Sequence, residues 1–272
     1  MLDNEPKPCV VVGIDGSPTA VEAALWAVDE AAERDIPLRL VHAIEPTDTA
    51  GPDAHAAQLA AADAAVHRAL AAVEACGRPV KTEVDIVQER PVQALLEAAR
   101  WATLLCVGAR GHKHATSGRI GSTAACLAIA APCPVAVVRN SRPHSRTERA
   151  VVIEATDPAT VGAVLRRGFD EARRRGAPVR LLTPAQHHAD VQAQWERRLA
   201  EWRQRYPELD ITSISIRGDV LDYLAAHADA IALVVADRGR PGGIGALVGA
   251  PGNAALRDRD CSILVCEPTN AL

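Results

Sequence analysis

The residues best placed for chemistry are Gly108-Ala109-Arg110-Gly111, followed after nine residues by Gly121-Ser122-Thr123. Glycines permit left-handed backbone angles and a close approach of backbone to ligand. If a helix opens at Ser122, its free N–H groups and dipole favour an anion, and two hydroxyls add donors there. Arg110, His112, Lys113, His114 and Arg119 bring positive charge to the same loop. A solvated loop ending in a serine helix cap is the plainer alternative. Three ordered glycines, a hydroxyl pair and the basic side chains together point instead to phosphate. A second feature is Gly13-Ile14-Asp15-Gly16-Ser17. A carboxylate at the end of a strand can accept from a ribose hydroxyl. Asp15 or Ser17 can equally serve as the cap of a helix starting at Pro18. Both readings stay open on these residues alone.

Other constellations carry less. His112-Lys113-His114 has no carboxylate or thiol at ligand spacing, so no metal site of the protein's own is expected. Ser17 lacks the second glycine of a G-x-S-x-G turn and has no assignable His–Asp pair, so no catalytic residue is assigned. His42 ends a strand beside the proposed pocket, as a satisfied core histidine or a pocket wall. His187-His188 sits in a polar stretch and reads as exposed. Trp195 and Trp202 are seven apart, share a helix face and read as core.

Buried parallel strands must position these residues. Val10–Ile14, Leu38–Ile44, Val80–Val87, Leu104–Val107 and Val135–Val138 are short, nearly unbroken apolar runs, as strands covered on both faces require. Between them Pro18–Arg34, Ala56–Ala75, Pro91–Arg100 and Ser122–Ala130 read as helices, with Pro18 and Pro91 in the first turn. Ala150–Ala155, Val179–Leu182, Ile211–Ile216, Ile231–Ala236 and Ile263–Cys266 repeat the strands. Pro158–Arg175, Ala185–Tyr206, Val220–Ala228 and Asn253–Asp258 repeat the helices. Such alternation predicts right-handed crossovers and two tandem doubly wound α/β sheets of five parallel strands.

The duplication is also visible as self-similarity. A gapless shift of 128 residues superposes Leu96 on Leu224, Val107 on Val235, Gly111 on Gly239 and Gly121 on Gly249. A shift of 140 places Val11-Val12 on Val151-Val152 and Pro18 on Pro158. The expected domains are 1–140 and 149–272, joined by a polar, proline-bearing linker at 141–148. On these shifts Asp15 corresponds to Ala155, Gly13 to Ile153, Gly108 to Ala236 and Ser122 to Ala250. The second copy is therefore expected not to bind the same ligand with comparable affinity.

Composition narrows the classes further. Of 272 residues, 48% are hydrophobic and only 3% aromatic, and net charge is −4. Neither a basic footprint nor a stacking surface for bases is present, so no nucleic-acid partner is expected. No apolar run approaches a membrane span, and the acidic start Met1–Pro6 lacks the basic-then-apolar form of a secretory signal. Seven cysteines, an odd number without C-x-x-C, read as free thiols of a reducing, cytoplasmic protein.

With these residues in place, the chain resembles a tandem universal stress protein over nearly all of both halves. Gly108, Gly111, Gly121 and Ser122 meet the family's G-x2-G-x9-G-(S/T) pattern. Val12-Gly13-Ile14-Asp15-Gly16-Ser17, Val41-His42-Ala43 and Ala131–Val138 also fit. The resemblance implies strand order 3-2-1-4-5, which sets the first and fourth strands side by side. It further implies an ATP site in the first half. Gly13 and Asp15 would stand at the nucleoside, Ala43 at the adenine, and Gly108, Arg110, Gly111, Gly121, Ser122 and Thr123 at the phosphates, with or without Mg2+. Function would be a nucleotide-dependent stress response, with a homodimer and a regulatory protein partner. A phosphoryl- or adenylyl-transferring enzyme (a weak ATPase) and a scaffold with a vestigial site are the alternatives.

Overall fold

The computed structural model describes residues 7–46, 51–111, 119–139, 149–158, 161–185, 189–256 and 260–267. The chain divides into two compact units, Met1–Arg142 and Pro143–Leu272. The expected linker at 141–148 lies outside the described residues, as do His112-Lys113-His114 and His187-His188.

In the first unit the strands are β1 (Cys9–Gly13), β2 (Leu38–Ile44), β3 (Thr82–Gln88), β4 (Ala102–Gly108) and β5 (Val135–Val138). The helices are α1 (Pro18–Arg34), α2 (Pro52–Ala75), α3 (Pro91–Ala98) and α4 (Ser122–Ala130). Every pairing described within the unit is parallel, in the order β3-β2-β1-β4-β5. Val10, Val11 and Val12 have no exposed surface at all, because helices cover both faces of β1. This is why the strand reads as an unbroken apolar run. α1 packs with α2, and α3 with α4. α1 meets the sheet through Ala20, Ala23, Ala24, Ala27 and Ala31, all buried. Alanine costs little in side-chain entropy and keeps helix and sheet close. That closeness shapes the site.

The second unit holds β6 (Ala150–Glu154), β7 (Val179–Pro184), β8 (Ile211–Ile216), β9 (Ile231–Asp237) and β10 (Ser262–Cys266). Its helices are α5 (Gly162–Arg175), α6 (Ala189–Arg205), α7 (Val220–His227), α8 (Ile244–Val248) and α9 (Ala250–Ala255). The strand order is β8-β7-β6-β9-β10, again parallel. Aromatic residues concentrate here. Phe169 lies 5.1 Å from Trp202 and 5.3 Å from Tyr206, ring centre to ring centre, so they join α5 to α6. Trp195 is buried on the same helix.

α8 has no counterpart among the helices expected from the sequence, and α9 begins three residues before the expected Asn253–Asp258 helix. Gly242 and Gly243 look like helix breakers, and both do take left-handed angles (φ 79° and 72°). The break serves to start a short helix rather than to prevent one. A Cβ on Gly252 would fall 1.7 Å from the Leu247 carbonyl oxygen, so only glycine lets α8 and α9 abut. α5 begins at Gly162 rather than at Pro158, which lies in a turn. All seven cysteines are free, five of them buried.

Candidate functional site

At the end of β1 the chain turns into α1 through Gly16, whose φ of 83° is the left-handed angle the sequence led one to expect in the later loop. Asp15 Oδ1 accepts the Ser17 N–H at 2.9 Å, and Ser17 Oγ accepts the Ala20 N–H at 3.2 Å. Ser17 is buried and is therefore the helix cap. Asp15 stays exposed, its carboxylate oriented by its own turn. Its Oδ2 lies 3.0 Å from where a Cβ on Gly111 would sit.

The four motif glycines do different work. A Cβ on Gly108 would meet Thr19 Oγ1 at 2.6 Å and the backbone of Thr19 and Ala20 at 2.7 and 2.8 Å. One on Gly13 would meet the Leu95 side chain at 2.9 Å. At both positions the space is filled by protein. Gly111 and Gly121 are more open: a Cβ on Gly121 would find the Ala109 carbonyl and the Gly111 nitrogen at an ordinary 3.8 Å. None of the four takes a positive φ, so close approach and not left-handedness is what they supply.

Hydrogen bonds tie the loop ends together. Gly121 N–H donates to Ala109 O at 2.8 Å, Ala109 N–H to Val138 O at 2.7 Å, and Thr19 Oγ1 to Arg110 O at 2.5 Å. Gly121 is the N-cap of α4 and offers no capping side chain; Ser122 is the first helical residue, exposed, and not the cap. The first-turn N–H groups thus have no side chain capping them, which suits an anion.

The electrostatics agree. Arg110 is half-buried, and its Nε is buried without a hydrogen-bond partner among the described residues. Guanidinium donors shielded from water are costly unless an acceptor arrives. His42, on β2, is held below its ordinary pKa by burial, while the Ile14 backbone and the Asp15 charge pull it upward. Its Nδ1 is buried and has no hydrogen-bond partner among the described residues. The Ile14 N–H donates to Val41 O at 2.8 Å, bringing the end of β2, with Val41 and Ala43, beside Asp15. Two further residues belong to the site. Thr19 pins the glycine loop to α1, and Arg68 Nη2, from α2, reaches Gly16 O at 3.5 Å. No local signal marks either, since their partners lie 91 and 52 residues away.

The strand ladders correct the correspondence between the two copies. β1 pairs Val10 with Leu38 and Leu104; β6 pairs Val151 with Val179 and Leu233, with the same irregularity one residue earlier in each. Val10 therefore matches Val151, one residue beyond the gapless shift. α3 and α7 show the same offset, Pro91 matching Val220. The reading of Ile153, Ala155 and Ala236 as the counterparts of Gly13, Asp15 and Gly108 is thus off by one. The structural counterparts are Glu154, Thr156 and Asp237. The helix-start bonds Ala125 N–H to Gly121 O and Asn253 N–H to Gly249 O keep the original shift, so Ser122 does match Ala250. The second loop is one residue shorter.

In the second unit, Arg240 Nε donates to Glu154 Oε2 at 2.6 Å, with both side chains almost fully buried (2% and 4% exposed). Arg240 Nη1 also donates to Gly243 O at 3.1 Å, and Asp237 Oδ1 accepts the Gly239 N–H at 2.6 Å. Burial pushes the Glu154 carboxyl upward against the opposing pull of Arg240, with Asp219 and Asp237 adding to the rise. Among the described residues no group of three or more His, Cys, Asp or Glu gathers to hold a metal, and no helix is long and apolar enough to cross a membrane.

The model of the universal stress protein family matches residues 9–139. The universal stress protein Rv2028c of Mycobacterium tuberculosis is 48% identical over 97% of this chain and 98% of its own length. A second from that organism, Rv3134c, is 43% identical over 87% of this chain and 91% of its own. Among solved structures, a universal stress protein from Archaeoglobus fulgidus superposes with a TM-score of 0.71 at 14% identity, covering 96% of this chain and 97% of that one.

Proposed function

The chain belongs to the universal stress protein family, and from that premise we propose that its first unit binds an adenine nucleotide, ATP, between the ends of β1 and β4. The observation that carries the proposal is the convergence on Gly111. The Asp15 carboxylate lies on one side, and Gly121, opening α4 without a capping side chain, lies on the other. A carboxylate suits a ribose hydroxyl, and a helix start suits phosphate. The orphaned Arg110 Nε fits a polyanion rather than a neutral ligand.

In this reading Asp15 orients the ribose, and Gly111 and Gly121 let backbone N–H groups come close to the phosphates. Ser122 and Thr123 add hydroxyl donors. Val41 and Ala43 line the adenine with aliphatic surface in place of rings. Bound ATP supplies a triphosphate, with or without its own Mg2+. The nucleotide acts as a regulator in the cytoplasm: it shifts the protein between conformations, as far as its affinities for them differ, and so governs pairing with a second copy or with a regulatory protein. Phosphoryl transfer has less support, because that chemistry uses several metal-holding acids and an oriented nucleophile.

Equilibrium titration of ATP, ADP, AMP and cyclic AMP against wild type and Asp15→Ala tests the proposal. Losing a hydrogen bond to a charged acceptor costs about 1.5–3 kcal/mol, or roughly ten- to a hundredfold in affinity. The expected result is one ATP per chain, weakened by that factor in Asp15→Ala. Equal affinity in the variant, or two equivalent sites per chain, sinks it.

A further inference from the structure

Two glycines end the strands beside the first crevice, Gly13 on β1 and Gly108 on β4, and the strand register puts a charged residue at the place of each in the second unit. Glu154 stands for Gly13 and Asp237 for Gly108, and three residues beyond Asp237 the loop carries Arg240. From the loop after β9, Arg240 sends a guanidinium inward to the end of β6. That group ends at 2.6 Å from Glu154 and 3.1 Å from the Gly243 carbonyl, essentially out of water. A cation and an acceptor so placed satisfy one another, and the space a ligand would use is taken.

We infer that the second unit is a self-liganded copy of the first: Arg240 takes the place of a bound group and holds the loop after β9 against β6 at all times. Three further features fit. Gly243 N–H returns a bond to Arg240 O at 2.9 Å, so the loop closes on the residue that anchors it. Asp237 is engaged by its own turn, accepting the Gly239 N–H at 2.6 Å. The residue at the place of Asp15 is Thr156, which carries no charge to hold a ribose. The chain then presents one ligand-responsive crevice and one that is permanently closed. The contrast rests on the nucleotide reading of the first unit, but the closure itself does not.

Hydrogen exchange followed by mass spectrometry on the full chain separates the two. In wild type, saturating ATP should slow exchange in peptides spanning 106–111 and 119–125 and leave 236–246 unchanged. Removing one partner of a buried ion pair leaves the other stranded. Glu154→Gln and Arg240→Gln should each speed exchange in 236–246 by roughly a hundredfold or more, while Leu104–Val107 stay protected. The double variant Glu154→Gln/Arg240→Gln should loosen the loop no more than either single change, as a direct pair requires. Unchanged protection in both single variants, additive loosening in the double, or ATP protection of 236–246 in wild type each overturns the inference. No response to ATP in the first unit would instead count against the nucleotide reading and leave the closure standing.

Discussion

Replacing Gly108 by alanine should damage the fold and the site together. The added Cβ lands 2.6 Å from Thr19 Oγ1, 2.7 Å from the Thr19 carbonyl carbon and 2.8 Å from the Ala20 nitrogen, all well inside the 3.4 Å where ordinary contact begins. A flexible side-chain end could swing away, but two of the three atoms are backbone in the first turn of α1. That turn is fixed by the Ser17 cap and by the buried alanine face of the helix. Overpacking a rigid site costs about 1–3 kcal/mol, and the value here should fall in the upper half. If α1 moves, the bond from Thr19 to the Arg110 carbonyl is strained or lost, adding about 1 kcal/mol and freeing the loop that carries Gly111. Urea unfolding monitored by circular dichroism should show the midpoint fall without a change in slope. ATP affinity should drop in parallel. If Gly108→Ala is as stable as wild type and binds ATP equally well, the close approach of α1 to β4 is not what this glycine provides.

Other substitutions separate fold from site. Gly121→Leu should keep stability within about 0.5 kcal/mol, because its Cβ meets only 3.8 Å contacts, yet lower ATP affinity at least tenfold by titration. Unchanged affinity removes Gly121 from the phosphate site. Ser17→Ala should lose about 1 kcal/mol in thermal or urea unfolding, the usual worth of a helix cap; no loss contradicts the assignment of the cap. His42 carries a pH signature. Its pKa is lowered by burial, so the native protein binds fewer protons than the unfolded chain as pH falls. The stability this represents is complete above the unfolded value of about 6.5 and is lost as pH drops through it toward the lowered native value. Stability measured between about pH 6.5 and 5 should therefore fall less steeply in His42→Gln, and identical slopes would exclude the mechanism.

Strand and helix positions were largely legible from pattern. β2, β5, α1 and α4 were read with the bounds they have. Unbroken valine and leucine runs mark strands buried on both faces, and Pro18, Pro91 and Ser122 mark helix starts. The glycine loop and Asp15 were equally legible, since their residue types are unusual at strand ends. What each glycine does was not. Gly13 and Gly108 make room for Leu95 and α1, which depends on neighbours remote in the chain. Thr19 and Arg68 were invisible for the same reason.

The comparison of the two copies marks the boundary most clearly. In a chain rich in alanine, valine and leucine, a gapless shift lays apolar run on apolar run without regard to strand pairing, and here it lies one residue off along β1 and β4. Local composition therefore established that the chain repeats, and that the second copy departs from the first motif. Only the hydrogen-bonded ladders, which admit a single pairing along each strand, decided which residues correspond. A one-residue slip turns every side chain to the opposite face. Read from the sequence, the second crevice looked merely stripped of its ligand groups; the sheet instead brought Glu154 and Arg240 into it as a buried pair.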